Sequence, residues 1–163
     1  MRKALSALAC IAILAMPASA LTVETRFSTA FQEKLEKDYG VREADGLARA
    51  LKQDVEKALS KVETKADRVV LTIEDAQPNR PTMKQTSDRP GLDSIRSISL
   101  GGAHVSGVVY DPQGRQIASL DYDWFETDLS NAVPGGVWSD ARRAFSRYAS
   151  RLAKDLTGSP VGN

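Results

Sequence analysis

Residues 98–127, ISLGGAHVSGVVYDPQGRQIASLDYDWFET, decide the fold. Two runs, Ile98 to Tyr110 and Arg115 to Thr127, flank Asp111-Pro112-Gln113-Gly114, where Pro and Gly take positions that a type I turn favours. The spacing predicts a hairpin. Pairing Tyr110 with Arg115 sets Val109 opposite Gln116, Val105 opposite Leu120, His104 opposite Asp121 and Ala103 opposite Tyr122. Ala103, Val105, Val109, Leu120, Tyr122 and Trp124 then share one side, so turn chemistry and hydrophobic alternation select the same face as core. Gly101-Gly102 shifts the apolar phase away from Ile98 and Leu100, which predicts a bulge or bend.

Upstream, Leu21, Val23, Thr25 and Phe27 alternate with polar neighbours, and so do Val69, Leu71 and Ile73 within Arg68 to Asp75. Both read as strands with one buried face. Between them lie two helical patterns. Phe31, Leu35 and Tyr39 recur every four residues up to Gly40, behind the cap-competent Ser28 and Thr29, the latter at capping-box spacing to Gln32. From Arg42, the residues Ala44, Leu47, Leu51, Val55, Leu59 and Val62 form one apolar stripe. Gly46 costs that helix about 1 kcal/mol against Ala, less than the burial of one Leu at roughly 1.5 to 3 kcal/mol. A helix between the strands implies a crossover, which makes the first two strands parallel.

Downstream, Asp128 to Gly136 is a turn-rich connection. Ala141, Ala144, Phe145, Tyr148, Leu152 and Leu156 then mark an amphipathic helix. The order β-α-β-β-hairpin-α predicts an α+β, two-layer domain over residues 21–156, a sheet of about four strands with helices mainly on one face, followed by a flexible tail at 157–163. Residues 77–94 hold three prolines and no periodicity. They read as a long loop, either a disordered or solvated connector or a partner-binding segment.

The amino terminus carries an address. Met1-Arg2-Lys3 is basic, Ala4 to Met16 is apolar or small except for Ser6, and Ala18-Ser19-Ala20 follows Pro17. This pattern predicts a secretory signal peptide over residues 1–20, cleaved between Ala20 and Leu21. Cys10 is the one cysteine, but it lacks an aliphatic residue three positions before it and sits inside the apolar run, so lipid anchoring there is disfavoured. Cleavage after Ala20 leaves a cysteine-free chain without disulfide or thiol chemistry. It also removes Arg2 and Lys3, leaving 20 basic against 21 acidic side chains, a balance that disfavours nucleic-acid binding. The expected location is periplasmic, as a soluble product.

Candidate sites are few. His104 is the one histidine; the register above places it with Ser106 and Asp121 on the face away from the core, the residue types of a nucleophilic relay. A wet cross-strand ion pair is the ordinary alternative. Asp121, Asp123, Glu126 and Asp128 lack a calcium-loop spacing, and the sequence calls for neither metal nor cofactor. Arg143, Arg147, Arg151 and Lys154 form a basic stripe on the last helix, and Arg80, Lys84 and Arg89 lie in the Pro-rich loop. Both sets are candidates for contact with an envelope protein or an anionic surface. Trp138 either rims a pocket with Val133-Pro134-Gly135-Gly136 or staples the helix start to the core.

Leu71-Thr72-Ile73-Glu74-Asp75, the Pro-containing loop, Ile95-Arg96, the Asp111-Pro112-Gln113-Gly114 turn and the terminal helix together resemble a family of small exported proteobacterial proteins of unknown function. The resemblance implies an envelope location and supplies no active-site signature. The expected function is a non-enzymatic binding or accessory module for a cell-envelope component. The alternative is a small periplasmic hydrolase or ligand-binding enzyme using the His104 face.

Overall fold

Val23, Val69, Leu71, Ile73, Val105 and Val109 are all buried, and their alternation along three strands sets one sheet face as core. A computed structural model describes residues 21–131 and 135–158. The leader with Cys10, Val133-Pro134 and the end of the tail lie outside the described residues. The elements run β1 (Thr22–Phe27), α1 (Thr29–Lys34) continuing into a π-helical turn (Leu35–Tyr39), α2 (Arg42–Leu59), β2 (Arg68–Gln77), α3 (Met83–Asp88), β3 (Gly102–Tyr110), β4 (Gln116–Phe125) and α4 (Ser139–Gly158). The sheet order is β1-β2-β3-β4. β1 and β2 are parallel, as the intervening helices require, and the remaining pairs are antiparallel. This is the α+β architecture that the sequence implies.

α2 lies against β1 and α4 against β3 and β4, with the two helices packed on each other. Leu47, Leu51, Val55 and Leu59 of α2 face Phe145, Tyr148 and Leu152 of α4 inside one apolar cluster. Each such side chain contributes roughly 1.5 to 3 kcal/mol by leaving water. Tyr148 passes across β3 at Gly107, where an added Cβ would run into the Tyr148 hydroxyl and lie 3.0 Å from Leu71. The absent side chain is what lets α4 settle on the sheet.

The hairpin faces are as expected, but its register differs by two residues. Ala103 pairs with Trp124, Val105 with Tyr122 and Ser106 with Asp121. Asp111, not Tyr110, closes the turn: its N–H donates to the Arg115 carbonyl at 3.0 Å, and the Gly114 N–H donates to the Asp111 carbonyl at 2.9 Å. Gly114 sits at φ +75°, the left-handed residue of a three-residue loop. An irregularity between Val109 and Tyr110 then places Ile117 outside the pairing and moves the register one step further. From Val109 back to Ala103 the shift is even, so those side chains and their partners keep their faces.

Three local expectations change. Of the two cap-competent residues, Ser28 caps α1, its hydroxyl accepting from the Phe31 N–H at 3.1 Å, and Thr29 is the first residue of the helix. β3 begins only at Gly102, leaving Ile98 half exposed outside the sheet. Residues 77–94 are not structureless: they contain the end of β2 and α3, whose start carries a complete capping box between Thr82 and Gln85.

Candidate functional site

Three places carried the candidate residues: the open sheet face, α4 and the strap formed by residues 78–100. On the open face, His104 lies directly opposite Asp123, yet its Nε2 reaches diagonally to Asp121, 3.1 and 3.0 Å from the two carboxylate oxygens. Ser106 goes elsewhere. A bulge between Ile73 and Asp75 leaves Glu74 outside the β2–β3 pairing, and the Ser106 hydroxyl donates to Glu74 Oε1 at 2.6 Å. The structure therefore joins His104 with Asp121, while Ser106, directly across from Asp121, gives its hydroxyl to Glu74 instead. Asp121 is exposed, so this is a cross-strand pair on a solvent-facing surface.

On α4 the basic residues do not all project into solvent. Arg143 is half-buried, facing Asp140 at 3.4 Å and Glu126 at 3.7 Å. The Arg147 guanidinium lies 4.3 Å from the Trp124 ring centroid and that of Arg151 lies 6.0 Å from Tyr122. The helix thus uses its arginines to cover the aromatic side of the edge strand, each stack contributing about 0.5 to 1 kcal/mol. Helical periodicity identified the stripe; it carried no information on the strand beneath it.

The strap is tied down by polar groups. Asn79 uses its backbone and its side chain. Its N–H donates to the Val137 carbonyl at 2.7 Å, its carbonyl accepts from Ser99 N–H at 2.9 Å, and its Oδ1 accepts from the Asp140 N–H at 2.8 Å. Its Nδ2 donates to Asp140 Oδ2, which also accepts from Gly101 N–H at 3.3 Å. Asn79, Thr82 and Asp140 are all buried. Arg80 donates through Nε to the Gly135 carbonyl at 2.9 Å and through its terminal nitrogen to the Ile95 carbonyl. Lys84 pairs with Asp88 at 2.6 Å and Arg89 faces Asp38 at 3.7 Å. The three strap cations named from sequence thus have intramolecular partners, and Arg80 is a clamp.

Most of the strap's exposed residues are polar, among them Ser87, Asp88, Arg89, Asp93 and Arg96, but three are large and apolar. Met83 is 79% exposed, Ile95 75% and Ile98 47%. Val41, 62% exposed, follows the Gly40 turn that touches Lys84 of α3. Beside them opens a cleft of about 360 Å³ whose lining includes Tyr39, Pro78, Pro81, Leu92, Ile98 and Leu100. Trp138 closes the inner side of this corner: it is buried, its ring meets Tyr39 edge-on at 5.5 Å, and its Nε1 donates to Glu43 Oε2 at 2.6 Å. Trp138 is the staple of the two alternatives. Sequence reasoning missed the cleft, because Tyr39 and Leu100 are 61 positions apart and no period links them.

Among the described residues no helix is long and apolar enough to cross a membrane. No family model matches the sequence, and no curated protein matches it. Among solved structures, "a putative lipoprotein from Caulobacter crescentus" aligns at 18% identity over 69% of this chain and 85% of that chain, with a TM-score of 0.32. So low a superposition transfers neither activity nor ligand.

Proposed function

We propose that this chain is an exported, non-enzymatic binding module of the cell envelope, and that it holds a protein partner at the strap. The export reading rests on the tripartite pattern of residues 1–20. The observation that carries the binding reading is the exposure of three large apolar side chains, Met83, Ile95 and Ile98, on a strap that buries Asn79 and Thr82. Large apolar side chains left exposed among charged neighbours on one segment are the feature expected of a contact surface. The partner this surface fits presents apolar side chains to Met83 and Ile95 and a small apolar anchor to the cleft.

The test is recovery of crosslinked partner from periplasm with the wild-type chain and with Met83→Ser/Ile95→Ser, two exposed positions whose replacement leaves the fold's packing alone. Deleting residues 82–89, the cruder variant, would remove the buried Thr82 and confuse contact with stability. Loss of a discrete partner in the double variant, at unchanged melting temperature, supports the reading; equal recovery rejects it. Turnover of an envelope substrate that His104→Ala abolishes would replace it with the catalytic alternative.

A further inference from the structure

A second surface is formed where α4 lies against β4. Arg147 and Arg151 stand one helical turn apart on α4, and Trp124 and Tyr122 are alternate residues of β4. Four residues of helix advance about 6 Å and two residues of strand about 6.8 Å, so the guanidinium and ring spacings match and both stacks form together. Arg143 is already occupied by Glu126 and Asp140. Arg147 and Arg151, by contrast, make no ion pair with a carboxylate among the described residues. They line a shallow groove of about 550 Å³ with Ser146, Ser150, Lys154 and Asp155. Three cations against one carboxylate leave the groove net positive.

A stacked guanidinium keeps its in-plane N–H donors free while losing rotamer freedom in advance, so less entropy is lost when an anion arrives. Forked donors on two neighbouring arginines match phosphate oxygens. The row from Arg143 to Lys154 extends about 16 Å along the helix, and the groove is open along its length, which suits an anion presented from an extended surface better than an enclosed small one.

We propose that this groove binds the phosphate of an anionic phospholipid headgroup and lays α4 along a membrane surface. The proposal is independent of the strap contact, since the residues do not overlap. The experiment is vesicle co-sedimentation of the processed full chain at low salt, with phosphatidylglycerol in phosphatidylcholine against phosphatidylcholine alone. Binding is expected only with phosphatidylglycerol, and it weakens as salt is added. Arg147→Gln/Arg151→Gln should lower affinity about twenty-fold. Arg147→Lys/Arg151→Lys keeps the charge but loses fork and stack, and should lower it about five-fold. Free glycerophosphate should displace the protein poorly. Absence of phosphatidylglycerol binding, or Gln or Lys variants that bind like wild type, would overturn the site. Efficient displacement by glycerophosphate would overturn the lipid as its source.

Discussion

Asp111 and Asp140 are both buried and stand at opposite ends of β3, but they hold those ends differently. At the turn end Asp111 Oδ1 accepts from the Gln113 and Arg115 N–H groups at 3.0 and 2.9 Å, and Oδ2 accepts from Arg115 Nε at 2.8 Å. Every partner lies within four residues. At the strap end Asp140 reaches Asn79, 61 residues away, and Gly101, 39 residues away. The local knot makes a turn that needs no other part of the molecule. The distant one gathers three chain segments through hydrogen bonds, so the strap is tied down while Met83, Ile95 and Ile98 stay exposed. Those side chains remain on the surface, and the proposed partner contact rests on them.

Asn79→Ala is the strongest way to break this contrast. It removes the Nδ2 donor from a buried carboxylate and should cost about 3 kcal/mol. Hydrogen exchange should rise across 79–101 while the 111–115 turn keeps its protection; equal loss at both ends would abolish the distinction. Gly107→Ala acts midway along β3, where the sheet packs against Tyr148 of α4. It should cost about 2 kcal/mol by denaturant unfolding and loosen both ends together. Tyr148→Phe tests the same contact from the other side. The Tyr148 hydroxyl is buried without a hydrogen-bond partner, and burial, aided by the Asp121 charge, pushes its pKa well above the usual tyrosine range. Removing it should change stability by less than about 1 kcal/mol and relieve part of the Gly107→Ala penalty in the double variant.

The smallest effect belongs to the turn. Burial pushes the Asp111 carboxyl upward, but the Arg115 and Gln113 N–H groups and the Arg115 guanidinium outweigh it and hold the pKa below the usual carboxylate range. A depressed folded pKa contributes stability above the unfolded value, near 4, and that contribution is lost as pH falls through the folded pKa. Melting temperature followed from pH 6 to acid should therefore decline less steeply in Asp111→Asn than in wild type. Identical slopes would mean that the turn carboxylate is not held in its charged form.

The same contrast explains what could be read from the chain. The hairpin faces were legible because alternation and a Pro-Gly turn are local signals. The register was not, because whether Tyr110 or Asp111 closes the loop depends on the Asp111 hydrogen bonds, and Ile117 drops out of the pairing. Parity rescued the core: a shift of two leaves Val105 and Tyr122 inside. α3 had a readable start in Thr82 and Gln85, but six residues without an apolar stripe left the period silent. The Asn79–Asp140 tie and the Tyr39 cleft had no local signal, since each joins residues about sixty positions apart. His104 and Asp121 were paired correctly by a register that was itself two residues off, because a histidine reaches its diagonal neighbour as easily as the one directly across.

The central claim, that the strap's exposed apolar side chains meet an envelope protein, is tested most directly by photo-crosslinking in cells that export the full chain. A photoreactive residue is placed at Ile95 on the strap or at Ser119 on the open sheet face, both exposed. The account predicts a discrete protein adduct from position 95 and none from 119. No adduct at 95, or adducts of equal yield at both, would contradict it.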